Sequence, residues 1–343
     1  MQSIVQPLLE WYDHAKRTLP WRGVSDPYSV WVSEIMLQQT RVAAVVSYYT
    51  RWMQALPTVE ALAAVDEKTL YKLWEGLGYY SRARNLQKAA VIVVRDYAGV
   101  LPRSVEELRR LPGIGDYTAG AIASIAYGIP VPAVDGNVLR VLSRLQSDYT
   151  DILEPSAKTR AFDTLSPIIP PDRAADFTQA MFELGALVCL PKSPRCDECP
   201  LGDRCNAYRD GLTTELPVRV VKTKRKTKDM TVLVLSTAQG YVLTAPKEKG
   251  LLAGTYGLPL VETALDESDV AAACTEWGVY ALNIQHLPKA KHVFTHITWN
   301  MVGYLVECAV EELPAGTIVA GAEDIRARYA IPTAFGAYKP YLQ

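Results

Sequence analysis

One carboxyl group near the start of the sequence lies in a setting that suits proton transfer. Glu34 belongs to the stretch SEIMLQQTRV, residues 33–42, and follows the apolar run YSVWV. A carboxyl group that is desolvated among apolar side chains keeps its proton to higher pH, because burial disfavours the charged form. Such a group can donate a proton near neutrality. The other interpretation is a glutamate paired with a nearby arginine, and Glu34 taken alone favours that one.

Four cysteines form a second group with chemical potential. They follow the spacing C-x6-C-x2-C-x5-C and are Cys189, Cys196, Cys199 and Cys205. Four thiolates suit a zinc ion or an iron–sulfur cluster equally well, so the residue types leave both open. Zinc sites more often show two C-x2-C pairs, and this segment has one. The sequence indicates a cytosolic protein, where structural disulfides are disfavoured, so a metal or cluster site is predicted.

A glycine-rich turn between two helical patterns offers a place for an anion. The string LPGIGDYTAGAIASIA, residues 111–126, places Gly113 and Gly115 two positions apart before a helix. Glycine lets the backbone approach a ligand closely, and the N–H groups of a helix start favour a negative charge. An ordinary helix–helix turn explains two glycines about as well, so this pattern alone leaves a phosphate site open.

Helices must position these groups, because the first 210 residues carry long amphipathic patterns. Apolar residues recur every three or four positions, and proline or glycine stands at the ends of the patterns. Later segments such as TVLVLSTAQGYVLTA indicate short strands, with a helix over DESDVAAACTEWG. We therefore predict a multi-domain protein, with an all-α domain over 1–210, a linker over 211–228 and an α+β domain over 229–343.

Composition is that of an ordinary globular protein, with 343 residues, 49% apolar and 21% charged, and a net charge of −1. Residues 211–230 contain six lysines and arginines against two acidic residues, so positive charge is concentrated between the two halves. A solvated linker explains this at least as well as a phosphate-binding arm. No window has the length of a membrane span and the N-terminus lacks a signal-peptide pattern, which predicts a cytoplasmic protein.

From about Leu9 to Cys205, the motifs and their order along the chain closely resemble those of the endonuclease III superfamily. The segment WVSEIMLQQT is similar almost letter for letter to that of MutY-type adenine DNA glycosylases, and this resemblance covers essentially the whole chain. It implies a helix-hairpin-helix glycosylase domain, with the hairpin at 111–126 and a [4Fe–4S] cluster on the four cysteines of 189–205. It also implies a MutT-like, or Nudix-like, C-terminal domain that recognises 8-oxoguanine.

The resemblance assigns roles residue by residue. Glu34 matches the general acid that protonates adenine, and Asp135 matches the carboxylate that stabilises the oxocarbenium-like sugar. Tyr117 and Asn137 match residues that position them, and the adenine must first be flipped out of the stack. The residues matched to DNA contacts are two wedges (Gln39 and Tyr79), others close to the bases (Trp21, Arg22, Thr40, Leu77, Gly78 and Gln179), the hairpin glycines (Gly113 and Gly115) and the recognition loop (Phe294, Thr295 and His296).

Departures from the family pattern are informative. Bifunctional members of the superfamily hold a lysine where this chain has Tyr117, so no amine stands there to form a Schiff base. Base removal without an efficient strand-cleavage step is therefore predicted. The acidic residues of a Nudix box cannot be found in the C-terminal half, which predicts no nucleotide hydrolysis. Thr295 stands where the family has serine, and it keeps the hydroxyl while adding a methyl group.

We therefore predict an adenine DNA glycosylase that acts as a monomer on double-stranded DNA, at adenine paired with 8-oxoguanine or guanine. Its predicted location is the cytoplasm, associated with the nucleoid and not with a membrane. Two other classes stay open: an endonuclease III-like glycosylase for damaged pyrimidines or mismatched thymine, and a non-catalytic DNA-binding or iron-sensing protein. The missing lysine counts against the first, and the retention of Glu34 and Asp135 counts against the second.

Overall fold

The structure, a computed structural model, describes residues 1–220 and 225–343, and its contacts divide the chain into two compact units. The first unit is formed by Met1–Ala64 with Asn85–Val221, and the second by Val65–Arg84 with Lys222–Gln343. Residues 65–84 therefore pack with the C-terminal half although they lie within the helical part of the sequence. The predicted domain boundaries stay a prediction, and part of the linker 211–228 lies outside the described residues.

The first 210 residues are helical, which confirms the class expected from the amphipathic patterns. The helices are, in chain order, α1 (Val5–Ala15), α2 (Pro27–Leu37), α3 (Val42–Ala55), α4 (Val59–Ala64), α5 (Glu67–Trp74), α6 (Ser81–Asp96), α7 (Val105–Arg110), α8 (Asp116–Ala121), α9 (Gly136–Gln146), α10 (Pro155–Leu165), α11 (Ala174–Leu187) and α12 (Asn206–Arg209). Within the described residues, no helix is both long enough and apolar enough to cross a bilayer.

Apolar faces of α1, α9, α10 and α11 form one core of the first unit. Leu8 of α1, Val138 of α9 and Phe177 of α11 are almost completely buried in it. Burial of side chains of this size contributes roughly 1.5–3 kcal/mol each relative to exposure. This core holds the start of α9 and the inner face of α11 in place, and both elements carry predicted site residues.

The chain beyond residue 225 is α+β, which is the predicted class for the C-terminal half. Its elements are, in chain order, β1 (Lys226–Thr237), β2 (Gly240–Thr244), β3 (Leu260–Val261), α13 (Glu267–Glu276), β4 (Val279–Val293), β5 (Ile297–Val310), β6 (Thr317–Ala320) and α14 (Ala322–Arg328).

The strands form one mixed sheet in the order β4-β5-β1-β2-β6, with β3 paired to β1. Strands β1 and β5 run parallel, and β4 and β5 form an antiparallel hairpin. Because side chains alternate between the faces of a strand, Val232 and Leu233 belong to two different cores, one on each face of the sheet. The sheet is thus covered on both sides, and the turn of the β4–β5 hairpin projects from one of its ends.

Candidate active site and cysteine loop

A cavity of about 1220 Å³ opens in the first unit. Its wall includes all eleven predicted site residues of this unit other than the cysteines, namely Trp21, Arg22, Glu34, Gln39, Thr40, Gly113, Gly115, Tyr117, Asp135, Asn137 and Gln179. The other six predicted residues, Leu77, Gly78, Tyr79, Phe294, Thr295 and His296, belong to the second unit. The predicted catalytic residues therefore lie on one cavity of the first unit, and the predicted recognition loop lies in the second unit.

Helix α2 positions Glu34 at the cavity. Asp26 caps the start of the helix, since its carboxylate accepts hydrogen bonds from the backbone of Tyr28 (3.4 Å) and Ser29 (2.9 Å), and Pro27 follows at the first helical position. The helix is buried from Tyr28 to Met36, which includes Glu34 at 5% exposure. The same apolar pattern that makes α2 a buried helix therefore desolvates its one carboxyl group.

The environment of Glu34 keeps the carboxyl group protonated to an unusually high pH. Its pKa is raised to about 7, chiefly by burial and also by the negative charge of Asp135. A hydrogen bond donated by the Tyr117 hydroxyl to Glu34 Oε2 and the positive charge of Arg22 act in the opposite direction. The raised pKa agrees with the apolar surroundings of Glu34 in the sequence, and it suits a group that donates a proton near neutral pH.

Asp135 is held as the N-terminal cap of α9. Its Oδ1 accepts the backbone N–H of Val138 at 2.8 Å, and its Oδ2 accepts from Asn137 Nδ2 at 2.8 Å. Arg140 in turn donates to Asn137 Oδ1 at 2.9 Å. Burial raises the pKa of Asp135, while the hydrogen bonds from Val138 and Asn137 lower it again. Both oxygens of the carboxylate are thus oriented by a helix start, which gives it a fixed direction.

Tyr117 lies one residue into α8, directly after the glycine turn. Its ring packs against Phe182 with 5.7 Å between the ring centroids. Burial raises the pKa of Tyr117 well above that of a free tyrosine, and the charges of Glu34 and Asp135 raise it further. The hydroxyl therefore stays protonated and acts as a hydrogen-bond donor to Glu34, which matches the positioning role that the resemblance implies.

The glycine turn requires glycine at one of its two predicted positions. Gly113 has a φ of +80°, and a Cβ atom there would lie 2.8 Å from the Cβ of Asn85. Gly115 has ordinary backbone angles, caps α8 and faces open space.

Trp21 lines the cavity and is buried, with its ring centroid 5.2 Å from that of Tyr49. Its place in the cavity wall is therefore held by packing against Tyr49.

A charged network that the sequence analysis missed lines the same cavity. Glu183, with 1% of its side chain exposed, accepts from Arg17 at 2.8 Å and from Arg22 at 2.5 Å. Arg22 also donates to Gln179 Oε1 at 2.5 Å, and Tyr12 donates to the same oxygen at 3.1 Å. The amide of Gln179 is therefore oriented by its neighbours.

A usable signal for Glu183 was present in the sequence. It is a carboxyl group in the apolar pattern FTQAMFELGAL, four residues after Gln179, and residues four apart share a helix face. This is the same type of pattern that identified Glu34.

Both predicted wedge residues have a backbone conformation that is rare for residues other than glycine. Gln39 has a φ of +58° and Tyr79 a φ of +48°, and both side chains are exposed. Such conformations are unfavourable and cluster at functional sites. Thr40 follows Gln39 and is half-buried, and the strain at both positions supports the predicted contacts with DNA without depending on the resemblance.

The recognition loop forms the turn between β4 and β5. Phe294 is packed between His292 and Trp299, with ring centroids 4.5 and 4.9 Å away. Thr295 and His296 are exposed. The Thr295 hydroxyl forms a 2.7 Å hydrogen bond with the hydroxyl of Tyr79, within the second unit. The turn containing Leu77, Gly78 and Tyr79 is thus joined to the recognition loop.

The cysteine loop runs from Cys189 to Cys205 and contains two short 3₁₀ turns, Cys196–Glu198 and Gly202–Arg204. Burial raises the pKa of Cys196, Cys199 and Cys205, and the charges of neighbouring cysteines raise the pKa of each of these thiols as well. The buried Arg144 donates to Cys189 Sγ at 3.3 Å. Four thiols within one short loop, one of which receives a guanidinium N–H, are a donor set that fits an anionic, thiolate-bound iron–sulfur cluster.

Three basic side chains on this loop are candidates for contact with DNA phosphates. Lys192, Arg195 and Arg204 are all exposed, and Arg195 lies 3.7 Å from Glu198. Their exposure makes phosphate contacts possible, and the contacts themselves stay a prediction.

Three family descriptions match separate parts of the chain. Residues 32–163 match the HhH-GPD superfamily of base excision DNA repair proteins, and residues 231–338 match the NUDIX domain. Residues 189–205 match the iron–sulfur binding domain of endonuclease III. The last match confirms the [4Fe–4S] cofactor predicted for the four cysteines, and the order of the three matches confirms the predicted architecture.

Similarity to characterised proteins extends beyond these segments. The chain is 36% identical to the adenine DNA glycosylase of Mus musculus, over 92% of this chain and 72% of the mouse protein. It is 47% identical to the adenine DNA glycosylase of Homo sapiens, over 58% of this chain but 38% of the human protein. A solved thymine-DNA glycosylase matches 61% of this chain and 96% of its own with a TM-score of 0.55 and 26% identity. That structural match is too short to include both units, whereas the mouse relative spans them.

Proposed function

The chain belongs to the adenine DNA glycosylase family, and we propose that it excises adenine paired with 8-oxoguanine or guanine in double-stranded DNA. Its class, a DNA glycosylase, follows from the family. The observation that carries the proposal is a pair of carboxyl groups on one cavity. Glu34 has a pKa of about 7, and Asp135 is oriented by the start of α9.

The two carboxyl groups suit the two halves of the reaction. Adenine leaves its sugar poorly as an anion, so a proton must reach the base, and the protonated Glu34 can supply it. As the bond breaks, positive charge develops on the deoxyribose, and the ionised Asp135 stabilises it. Water then completes the hydrolysis and leaves an abasic site. The cavity must receive adenine that has been flipped out of the duplex, because neither group can reach a stacked base.

Base removal without strand cleavage follows from the position of Tyr117. A lyase step needs an amine that forms a Schiff base with the sugar. Tyr117 presents a hydroxyl with a strongly raised pKa that donates a hydrogen bond to Glu34, so it is neither an amine nor a ready nucleophile. We therefore propose a monofunctional enzyme. We also propose that it acts on DNA as a monomer, in the cytoplasm and associated with the nucleoid.

We propose that the β4–β5 turn recognises the base opposite the adenine. 8-Oxoguanine differs from guanine at its edge by an N7–H donor and an O8 acceptor, and a hydroxyl can pair with either. Thr295 is exposed and is hydrogen-bonded to Tyr79, which has a positive φ and which we propose as a residue that enters the duplex. This hydrogen bond supports the proposal, because it holds the residue that would recognise 8-oxoguanine next to a residue that would insert beside that base.

Adenine release is expected to depend on the opposite base and on the Thr295 hydroxyl. Wild-type protein should act faster on adenine opposite 8-oxoguanine than opposite guanine, and poorly opposite thymine. Thr295→Ala should lower the ratio of the first two rates by about tenfold, because one such contact is worth roughly 1–3 kcal/mol. Single-turnover assays on the three duplexes measure this, with Thr295→Ser as the control that keeps a hydroxyl. An unchanged ratio in the alanine variant removes Thr295 from recognition, and no release from any adenine mispair contradicts the proposed activity.

The rate of adenine release is expected to fall as pH rises through about 7. Only the protonated form of Glu34 donates a proton, and its pKa is about 7. Asp135 must be ionised, and burial raises its pKa above the ordinary value, so the rate should also fall at acidic pH. The expected profile is a bell. Single-turnover rates from about pH 5 to 9 test it, and a rate that stays level or rises on the alkaline side rules out Glu34 as the proton donor.

A further inference from the structure

A segment of the helical half is part of the second unit. Residues 65–84 contain α5, the turn with Tyr79 and the start of α6, and their contacts group them with residues 222–343. The two stretches are separated in the sequence by more than a hundred residues, so a specific set of contacts must hold them together. The strongest of these contacts converge on one side chain, Glu75, which directly follows α5.

Glu75 accepts hydrogen bonds from both stretches. Its Oε1 accepts from Lys339 Nζ at 2.5 Å and from the backbone N–H of Ile331 at 3.2 Å, and its Oε2 accepts from Lys72 Nζ at 2.6 Å. The Glu75 side chain is 17% exposed. Burial raises its pKa, but the hydrogen bonds from Lys339 and Lys72 lower it more, and the pKa ends below its ordinary value. Charge-assisted hydrogen bonds of this kind are among the stronger polar contacts in proteins.

Neighbouring contacts place α5 against the same surface. Lys72 Nζ also donates to the carbonyl oxygens of Ile325 (3.3 Å) and Tyr329 (3.2 Å), and Lys68 Nζ lies 4.1 Å from the centre of the Tyr329 ring. The ring of Tyr71 occupies the space beside Gly254, where a Cβ atom would lie 2.6 Å away. Removal of Lys72 or Lys68 would thus loosen α5, and Glu75 binds one cation from each stretch.

The anchored end of α5 leads directly to Tyr79. Trp74 Nε1 donates to the carbonyl oxygen of Gly78 at 3.0 Å, which folds the turn back onto the helix. Gly76 and Gly78 have positive φ, and Tyr79 follows with its strained backbone and its hydrogen bond to Thr295. Tyr79 therefore lies only four positions after Glu75 in the sequence.

We propose that Glu75 is a positioning residue for recognition of the opposite base, because it anchors residues 65–84 to the C-terminal part and so holds Tyr79 at Thr295. This inference rests on the proposed function of the β4–β5 turn. Glu75 does not act on adenine, since the catalytic cavity is lined by residues of the first unit. Loss of its charge leaves Lys72 and Lys339 without their shared carboxylate, which weakens the attachment of residues 65–84 to the C-terminal part.

Glu75→Gln should reduce discrimination and leave adenine chemistry intact. We expect the ratio of single-turnover rates opposite 8-oxoguanine and opposite guanine to fall roughly fivefold or more, the lower range of typical coupling between sites. The rate opposite guanine should stay within about twofold of wild type. Glu262→Gln is the matched control, because it removes one carboxylate from an exposed ion pair with Lys228 in the same unit.

A double-mutant cycle identifies the ion pair as the cause. Lys339→Met should lower the ratio in the same direction, and the double variant Glu75→Gln/Lys339→Met should lose less than the product of the two single effects. If Glu75→Gln does not fold, Lys339→Met carries the test, since its side chain is more exposed at 33%. Equal loss of both rates means a general structural role and overturns the proposal, as does an unchanged ratio in a folded variant.

Hydrogen exchange separates this inference from the proposed function. Amide exchange over residues 65–84 should be faster in Glu75→Gln than in Glu262→Gln, with no DNA present. If the wild type shows no preference for 8-oxoguanine, the recognition proposal fails and the positioning role fails with it. If the wild type shows the preference but exchange and ratio are both unaffected by Glu75→Gln, only the positioning role is overturned.

Discussion

Glu34→Gln releases adenine about a hundredfold to ten-thousandfold more slowly than the wild type, the range that general acids contribute, and still binds the duplex. The amide keeps the size of the side chain and can still accept the hydrogen bond from Tyr117, but it has no acidic proton to give. Single-turnover cleavage of a duplex with adenine opposite 8-oxoguanine measures the rate, and equilibrium binding to the same duplex measures affinity. Glu10→Gln, an exposed site on α1, is the matched control.

The stability of this variant provides an independent check. The folded-state pKa of Glu34 is raised to about 7 from an ordinary value of 4.5, so the folded protein binds more protons than the unfolded chain between these values. Wild-type stability should therefore decline across this pH range as the buried carboxyl is forced to ionise, and Glu34→Gln lacks this decline. Thermal melting at several pH values tests it. Cleavage near the wild-type rate by a folded Glu34→Gln protein removes Glu34 from its catalytic role.

Asp135→Asn lowers the rate of adenine release by about a hundredfold to a thousandfold, as loss of one electrostatic contact to a transition state commonly does. Asparagine still accepts the backbone N–H of Val138 and is as good a helix cap as aspartate, so α9 should begin at the same place. The variant removes the charge and the acceptor of the Asn137 Nδ2 hydrogen bond, and it keeps the helix cap. Single-turnover rates and helical circular dichroism measure the two effects separately.

Asp66→Asn is the matched control for this change, because Asp66 caps α5 through the backbone N–H of Thr69 at 2.9 Å. It should melt and react like the wild type. A slow Asp135→Asn protein with native melting then assigns the defect to chemistry. A rate within a few-fold of wild type would mean that another group stabilises the sugar cation.

Local patterns in the sequence were sufficient for the catalytic helix and the cysteine loop. Glu34 could be singled out because it lies within an apolar run of α2 that is buried from Tyr28 to Met36. The cysteines occupy a single short loop, so their spacing alone shows that four thiols can converge. The period of the apolar residues likewise separated the helical half from the α+β half. The choice between zinc and iron–sulfur, and the identity of the substrate, required resemblance to known proteins, because the residue types permit several answers.

Contacts between distant parts of the chain could not be predicted in this way. Arg17 and Glu183 are 166 positions apart, Tyr79 and Thr295 are 216 apart, and Glu75 and Lys339 are 264 apart.

The physical reason is the range of each interaction. The geometry of a helix determines which side chains three or four positions apart lie on the same face. Burial of Glu34 and capping by Asp135 can therefore be predicted from nearby residues in the sequence. A partner two hundred positions away is set by how whole elements pack. The sequence by itself therefore determined which groups are candidates for the chemistry, while only the tertiary structure decided which side chains orient Gln179 in the cavity and which part of the chain carries Tyr79 to Thr295.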